Sequence, residues 1–384
     1  MKSGISKRVF VAMSGGVDSS VSAALLKEAG FDCIGVYMRQ WAPNVLGKEC
    51  LWKQDRQDAM RVCAKLGIPF LTWDFSKEYE KQVGKYMIDS YKKGITPNPD
   101  VMCNKIIKFG LFFDKAIKQG ADFVATGHYA RISGRTQIEN PVWSNFYDRR
   151  NLTTLKNGKY DYKLLKAKDK NKDQTYFLYE IKKSQLAKII FPVGNLEKSE
   201  VRKLAKKFGL ENAEKKDSQG VCFIGKFSMK SFLKNYIKSR KGPIVEQNSL
   251  RGKQNYNKVA KVLGEHDGAF YYTIGQRRGL DIKNGKGPYF VVKKDIKKNI
   301  IYVGREKDLY SKKAKVKNIN WINKPKFFPT LVDARARYRV ALKKAELHKN
   351  GLLIFKNPDR ALTPGQSAVF YLGEELIGGG TIDI

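Results

Sequence analysis

The chain has 384 residues, 42% of them hydrophobic, which is enough to build two or three domains with buried cores. Its 74 lysine and arginine residues outnumber 37 acidic residues and give a formal net charge of +37, which favours a polyanionic partner such as nucleic acid. No run of about 18 apolar residues and no basic amphipathic helix stands out, which argues against a membrane partner. The first residues contain no apolar signal region, so we expect a cytoplasmic protein.

Five cysteines are spread along the chain without a C-x-x-C pair: Cys33, Cys50, Cys63, Cys103 and Cys222. This number is too small for a disulfide scaffold, and the spacing argues against a Cys-ligated zinc or iron–sulfur site. The sequence therefore predicts no metal held by the protein itself. Each cysteine is either a small buried side chain or a reactive thiol.

The first predicted strand, Val9–Met13, runs directly into the glycine loop Ser14–Ser20, and a helical pattern follows as far as Ala29. Gly15 and Gly16 allow backbone N–H groups to approach an anion, and the positive end of the helix faces the same ligand. The loop lacks the lysine of the nucleoside-triphosphatase pattern G-x-x-x-x-G-K-S/T. It therefore suits cleavage of ATP between its α and β phosphates, and a tight turn without a ligand is the alternative.

Strands and helices continue to alternate after this loop, at Phe31–Met38, Gln54–Leu66, Ile68–Trp73, Glu78–Lys92 and Ala121–Thr126. This alternation predicts a parallel sheet with helices on both faces, whose ligands lie beyond the carboxyl ends of the strands. Gly127 follows the last of these strands, so we expect it near the nucleotide. For His128 two interpretations stay open, contact with the substrate or a structural hydrogen bond.

Two prolines stiffen the loop Thr96–Asp100, which leads to Cys103 at the start of the next predicted helix, Asn104–Gln119. A thiol at a helix N-terminus has a lowered pKa, and the charge of Lys105 acts in the same direction. Asp100, close to it in the sequence, can move a proton or order a metal. We interpret Cys103 as a reactive thiol, and a buried filler side chain is the alternative.

Ser133–Lys170 is polar and irregular, which predicts a hairpin or a mobile insertion. Next comes the cluster Lys172, Asp173 and Gln174, which could contact an RNA backbone or be an ordinary surface loop. Cys222 lies between two glycines and close to two lysines, which again favours a thiolate.

Beyond Gly225 the pattern changes: one predicted helix, Met229–Ser239, is followed by short alternating stretches, which include Ala269–Ile274 and are separated by turn residues. This pattern predicts two all-β units, the last of them closed as a small barrel. Leu331–Tyr338 is one of the predicted strands, and Arg337 and Tyr338 at its end suit phosphate contact and base stacking. A solvated strand face is the alternative.

Taken together, the motifs resemble those of the MnmA family of tRNA-specific 2-thiouridylases over nearly the whole chain. They are AMSGGVDSSV (Ala12–Val21), TPNPDVMCNKIIKFG (Thr96–Gly110), ATGHYARI (Ala125–Ile132), KDQTYFL (Lys172–Leu178), KKDSQGVCFIG (Lys215–Gly225), TIGQRRGL (Thr273–Leu280) and TPGQSAVFY (Thr363–Tyr371). Their order and the pair Cys103 and Cys222 are specific, whereas the glycine loop alone would indicate only the ATP-pyrophosphatase (PP-loop) superfamily.

The resemblance implies an α/β N-terminal domain of the adenine nucleotide alpha hydrolase-like PP-loop fold, built on a parallel sheet. A small, mainly-β central domain and a C-terminal β-barrel would follow it. We place these domains at residues 1–216, 217–305 and 306–384. The central domain and the barrel are then expected to carry part of the tRNA surface.

The resemblance also implies residue roles. ATP would be contacted by Ala12, Met13, Ser14, Gly15, Gly16, Val17, Asp18, Ser19, Met38 and Gly127. The target base would meet Asn98, Pro99 and Asp100, with Asp100 as acid and base, Cys103 as nucleophile and Cys222 as carrier of persulfide sulfur. The tRNA would be contacted by Lys172, Asp173, Gln174, Arg337 and Tyr338.

The activity implied by the resemblance is ATP-dependent 2-thiolation of the wobble uridine (U34) of tRNA, with AMP and pyrophosphate as products. Mg²⁺ would accompany the ATP without a dedicated protein cage. The implied partners are the tRNA anticodon loop, a persulfide sulfur-donor protein and a reductant, and we expect a monomer.

Two other functions remain open on the residues alone. A PP-loop ligase or amidotransferase acting on a small metabolite explains the glycine loop but neither the two cysteines nor the net charge of +37. A non-catalytic RNA-binding protein with a vestigial nucleotide site explains the charge but not the presence of Asp18, Asp100 and both thiols together.

Overall fold

The computed structural model describes residues 6–43, 51–133, 147–148, 161–216, 229–247 and 261–383. In this part of the chain, the strands before residue 200 are β1 (Arg8–Met13), β2 (Asp32–Arg39), β3 (Phe70–Asp74), β4 (Phe123–Thr126), β5 (Arg131–Ser133), β6 (Tyr147–Asp148), β7 (Lys163–Leu165) and β8 (Ile189–Ile190). Five of them form a parallel sheet in the order β3-β2-β1-β4-β8, as the alternating pattern predicted.

The described helices are α1 (Val17–Glu28), α2 (Leu51–Leu66), α3 (Ser76–Tyr79), α4 (Lys85–Lys92), α5 (Pro99–Met102), α6 (Phe113–Lys118), α7 (Lys198–Lys207) and α8 (Met229–Leu233). Two wider π-helical segments, Glu80–Gly84 and Cys103–Phe112, join α3 to α4 and α5 to α6. Short 3-10 turns cover Thr175–Phe177, Lys183–Lys188, Ala269–Tyr271 and Glu306–Leu309. None of the described helices combines the length and apolarity that crossing a bilayer requires.

The helix that carries Cys103 begins five residues earlier than predicted, and this changes the position of the thiol. The Asn98 side chain caps α5 by accepting a hydrogen bond from the Val101 backbone N–H at 3.3 Å, and Pro99 takes the first helical position. Cys103 therefore lies in the second turn. Our argument that a helix N-terminus lowers the pKa of this thiol was wrong, because that effect fades within the first turn.

The central unit contains α8 and four strands, β9 (Gly242–Glu246), β10 (Val262–His266), β11 (Phe290–Asp295) and β12 (Ile300–Gly304). They form a sheet in the order β10-β9-β12-β11. The predicted strand Ala269–Ile274 was wrong, since that stretch begins with the 3-10 turn Ala269–Tyr271. The predicted helix Met229–Ser239 ends at Leu233.

The C-terminal unit is a closed antiparallel barrel, as predicted. Its strands are β13 (Tyr310–Trp321), β14 (Thr330–Arg335), β15 (Lys343–Leu347), β16 (Leu352–Arg360), β17 (Ser367–Leu372) and β18 (Glu375–Asp383), in the order β13-β16-β15-β14-β17-β18. Pairing between β13 and β18 closes the ring around a buried core that includes Leu353, Phe355 and Phe370. The predicted strand Leu331–Tyr338 ends at Arg335, which leaves Arg337 and Tyr338 in the following turn.

The barrel is continuous with the N-terminal unit in a way the sequence did not suggest. Strand β18 pairs with β7, with Leu376 opposite Leu164, and the sheet continues through β5 to β6. Tyr371 of the barrel is fully buried in the same core as the parallel sheet. Most of the predicted insertion Ser133–Lys170 lies outside the described residues; strands β6 and β7 belong to its described parts.

Candidate active site

The loop Ser14–Ser20 leaves the carboxyl end of β1 and turns tightly into α1. Gly15 has φ +72°, and a Cβ atom added there would lie 2.2 Å from the backbone oxygen of Asp55, so only glycine fits. The Ser19 hydroxyl donates to the Gly16 carbonyl at 3.0 Å and lies 3.1 Å from the Ser14 hydroxyl. These contacts preorganise a narrow turn at the positive end of α1, the geometry that binds a phosphate.

Gly127 lies against this loop from the neighbouring strand. It follows β4, which pairs with β1, and a Cβ atom at Gly127 would lie 2.6 Å from the backbone nitrogen of Ser19. The side chains of the other proposed ATP contacts Ala12, Met13, Val17 and Met38 are buried. These four residues can reach a nucleotide mainly through their backbone groups.

Asp18, in the first turn of α1, is held by two residues that the sequence analysis missed. Its carboxylate accepts a hydrogen bond from the Tyr129 hydroxyl at 2.9 Å and pairs with the Lys198 ammonium at 2.6 Å. Gln174 in turn fixes Tyr129 through two hydrogen bonds of 2.9 Å. The Gln174 side-chain oxygen accepts from the Tyr129 backbone N–H, and the Gln174 backbone N–H donates to the Tyr129 carbonyl.

A second lysine, Lys215, contacts the backbone of the glycine loop. The Lys215 ammonium lies 3.2 Å from the Gly15 carbonyl and pairs with Asp55 at 2.7 Å and Asp58 at 2.6 Å. Asn212 donates to the same Gly15 carbonyl at 3.0 Å. The sequence analysis noted Lys215 only as a neighbour of Cys222, and nothing in the pattern connected it with a loop 200 residues earlier.

Cys103 lies at the same edge of the parallel sheet as the glycine loop. Its thiol is buried, and the side-chain nitrogen of Gln40 lies 3.9 Å from its sulfur. Gln40 directly follows β2, which pairs with β1 so that Tyr37 lies opposite Met13. Gln40, which contacts the thiol, therefore follows the strand next to the one that ends in the glycine loop. Neighbouring strands are about 4.8 Å apart.

The same helical segment carries Asp100 and Lys108; the Lys108 charge acts on Asp100, and Lys108 lies beside His128. The Lys108 ammonium lies 3.4 Å from Nε2 of His128, and the Thr126 hydroxyl lies 2.7 Å from Nδ1. Burial, and then the charge of Lys108, lower the pKa of His128 well below its usual range. Burial raises the pKa of Asp100 and Lys108 opposes this, so the carboxyl holds its proton more readily than an exposed aspartate does.

His128 should therefore make the protein acid-sensitive. The unfolded chain takes up a proton at His128 below about pH 6.5, whereas the buried neutral imidazole does not, so the free energy of unfolding falls on acidification. We expect the free energy of unfolding of the wild type to fall between about pH 7.5 and about pH 5.5. In His128→Asn this fall should be smaller by up to about 1.4 kcal/mol. Urea unfolding at both pH values measures this, and equal losses in the two proteins would contradict it.

Cys222 lies outside the described residues, within the segment 217–228, but both flanks of that segment are at the site. On one side Lys215 contacts the glycine loop. On the other side Phe232 of α8 packs on Trp41 at 6.1 Å, next to the residue that contacts Cys103.

The proposed tRNA contacts lie in different environments. The carboxylate of Asp173 is buried, accepts from the Thr175 hydroxyl at 2.7 Å and lies 3.3 Å from the Arg335 guanidinium. Arg337 donates to the Ala361 carbonyl at 3.3 Å, and the Tyr338 ring packs on Phe177 at 4.4 Å. Asp173 is therefore a buried structural group in this structure, whereas Lys172, Gln174, Arg337 and Tyr338 are all partly exposed.

The barrel supports the loop that precedes Cys103, which sequence reasoning also missed. The Gln366 amide donates to the carbonyls of Thr96 at 3.1 Å and Pro97 at 2.9 Å, and the Thr96 N–H donates to the Pro364 carbonyl at 3.0 Å. A Cβ atom at Gly365 would lie 2.1 Å from the Ile95 side chain. The TPGQ motif therefore packs directly behind the Thr96–Asp100 loop.

Comparisons with known proteins bear on this arrangement. Three family models match the chain: a tRNA methyl transferase HUP domain over residues 7–226, a tRNA methyl transferase PRC-barrel domain over 230–305 and an aminomethyltransferase beta-barrel domain over 311–382. Among solved structures, the chain is similar to the U34-tRNA thiolase NcsA from Methanococcus maripaludis, with 19% identity, 60% and 63% of the two chains covered and a TM-score of 0.35. That likeness is too weak to support an argument.

Curated relatives match far more closely. The tRNA-specific 2-thiouridylase MnmA 2 of Geobacillus kaustophilus is 44% identical over 385 residues, covering 98% of this chain and 94% of the relative. The tRNA-specific 2-thiouridylase MnmA of Karelsulcia muelleri is 45% identical over 398 residues, covering 98% of each chain. Because the likeness extends over nearly the full length and a family model also matches more than half of the chain, the protein belongs to the MnmA family of tRNA-specific 2-thiouridylases.

Proposed function

We propose that this protein is a tRNA-uridine 2-sulfurtransferase, which uses ATP to replace O2 of the wobble uracil (U34) with sulfur. The observation that carries the proposal is the position of Cys103. Its buried thiol is held by Gln40 at the edge of the sheet where β1 enters the glycine loop. A phosphate-binding turn and a thiol at one edge suit a reaction that activates a carbonyl and then transfers sulfur to it.

ATP has to activate the base because the C2 oxygen of uracil is a poor leaving group. Attack of O2 on the α-phosphorus forms an O–P bond and expels pyrophosphate, so that the oxygen can later leave as part of AMP. The loop Ser14–Ser20 would bind the triphosphate through backbone N–H groups and the positive end of α1. The described residues contain no cluster of three His, Cys, Asp or Glu side chains that could hold a metal ion, and we propose that Mg²⁺ arrives with the ATP and balances its charge.

Sulfur transfer would use a persulfide on Cys222, supplied by a sulfur-donor protein. In one route the Cys103 thiolate attacks the Cys222 sulfur of the persulfide and releases hydrosulfide, which adds to C2 and expels AMP. In the other route the terminal sulfur attacks C2 directly and expels AMP, and the Cys103 thiolate then attacks the Cys222 sulfur to release the thiolated base. Both routes end in a Cys103–Cys222 disulfide, so a reductant is required for each turnover.

Asp100, with the Lys108 charge acting on it, would exchange a proton with the target base at this site. The raised pKa of the Asp100 carboxyl, caused by burial, suits a group that accepts a proton from the reacting base and later returns it. Asn98 and Pro99 begin the same helix, and Gln366 of the barrel fixes the backbone just before them. The target uracil must leave its stack to reach this loop, which a single-stranded anticodon loop allows at low energetic cost.

The charge and surface of the chain support tRNA as the partner. A groove of about 430 Å³ opens beside Trp41. Its lining combines the exposed ring of Tyr236 with four lysines and two acidic residues, which leaves an excess of positive charge: Lys77, Lys81, Lys85, Lys92, Glu80 and Asp89. Lysines around aromatic rings suit an RNA backbone with unstacked bases. The family models carry the description methyl transferase, but a phosphate-binding loop beside a thiol fits ATP-dependent thiolation better.

The test is to incubate the protein with ATP, unmodified tRNA and a persulfide donor. We expect pyrophosphate release that depends on tRNA and 2-thiouridine that mass spectrometry detects at position 34. Pyrophosphate release driven instead by citrulline or xanthosine monophosphate would favour a metabolite ligase. The absence of any release would favour a non-catalytic RNA-binding protein.

A further inference from the structure

The glycine loop has no lysine of its own, yet the fold brings one to it from a helix that starts about 180 residues later. The Lys198 ammonium pairs with Asp18, the acidic residue of the loop, at 2.6 Å. We propose that Lys198 is the phosphate-side cation of the ATP site, which binds the β and γ phosphates and stabilises the departing pyrophosphate. This inference rests on the proposed function, since it concerns the activation step.

The position of Lys198 is fixed by the start of α7. Its backbone N–H donates to Asp169 at 3.0 Å, and the Glu200 carboxylate accepts from the Glu197 N–H at 2.6 Å in a capping box. Helix α7 packs against α1, the helix that follows the glycine loop. The Lys198 side chain is 13% exposed and its ammonium lies 5.9 Å from the centre of the Tyr129 ring. The ammonium is therefore aimed at the loop.

Lys198 would neutralise negative charge at the turn that binds ATP. Asp18 places a negative charge at the turn that has to bind a triphosphate, and Lys198 offsets that charge in the structure. An ammonium group is a compact cation with three rotatable donors and can exchange a carboxylate partner for phosphate oxygens. When the bond between the α-phosphorus and the bridging oxygen breaks, the electron pair goes to pyrophosphate, and a cation already in place stabilises it without reorganisation.

The alternative is that Lys198 only holds Asp18, and separate ATP and AMP affinities distinguish the two roles. AMP occupies the adenosine and α-phosphate part of the site and lacks the β and γ phosphates. For Lys198→Met we expect a loss of at least about tenfold in ATP affinity by calorimetry, with AMP affinity within about twofold of wild type. Pyrophosphate release at saturating ATP and tRNA should fall by about 10²-fold.

Two further variants make this test specific. Lys198→Gln keeps a hydrogen-bond donor for Asp18 but removes the charge, so it should show the same selective loss even if Lys198→Met is unstable. Lys207→Met removes an exposed lysine from the last turn of the same helix and should leave both affinities unchanged. A parallel fall in ATP and AMP affinity, or an unchanged ATP affinity in Lys198→Gln, overturns the proposal. The ATP and AMP affinity measurements do not require tRNA, so failure of the thiolation assay leaves this test of Lys198 intact.

Discussion

Replacement of Cys103 by alanine is expected to reduce 2-thiouridine formation by roughly 10³-fold or more, while tRNA-dependent pyrophosphate release stays within about tenfold of wild type. The reason is a division of labour within the site. In the proposed mechanism, activation of the base occurs at the glycine loop and needs no thiol, whereas release of sulfur from a persulfide on Cys222 needs a second thiol that forms a disulfide with Cys222. Mass spectrometry of the tRNA and a pyrophosphate assay measure the two steps separately.

Cys63 provides a matched control for this experiment. It is also buried, but it lies on α2 against Gly35, and burial raises the pKa of its thiol to about 12, which disfavours the reactive thiolate. Cys63→Ala should cost about 1 kcal/mol of stability through the small cavity it leaves and should retain thiolation. Retained thiolation in Cys103→Ala, or an equal loss in Cys63→Ala, would contradict the role proposed for Cys103.

Replacement of Gly15 by alanine is expected to weaken ATP binding by at least about 100-fold and to lower the free energy of unfolding by about 3 kcal/mol or more. The added methyl group would lie 2.2 Å from the backbone oxygen of Asp55, and backbone cannot move aside as a flexible side chain can. The loop would have to shift away from α2, which would disrupt its contacts with Lys215 and Asn212 and the alignment of its N–H groups.

Gly30→Ala separates this clash from backbone strain. Gly30 also has a positive φ, +84°, but no atom lies within 4 Å of a Cβ atom added there. The control should therefore lose only about 1 kcal/mol, the cost of a left-handed conformation, and should bind ATP normally. Urea unfolding and ATP titration of the two variants test this, and equal losses of stability and affinity would show that the clash at Gly15 has no effect.

The features that depend on residues close together in the sequence could be predicted from the sequence alone. The order apolar strand, glycine loop and helix indicated the parallel sheet and the phosphate-binding turn, because hydrophobic period and glycine content are local properties. The alternating stretches after Gly225 indicated the barrel for the same reason. The motif TPNPD predicted a rigid loop before Cys103, although the capping by Asn98 that begins the helix there was overlooked.

Only the tertiary structure decided which distant side chains complete the site. Lys198 and Lys215 meet the glycine loop across about 180 to 200 residues, and Gln366 meets the Thr96–Asp100 loop across about 270. A hydrophobic period says which face of a helix or strand is buried but not which element covers it. These partners are determined by the packing of α7 on α1 and of the barrel behind the Thr96–Asp100 loop. Only that packing decides which of the 74 basic side chains lies beside Asp18.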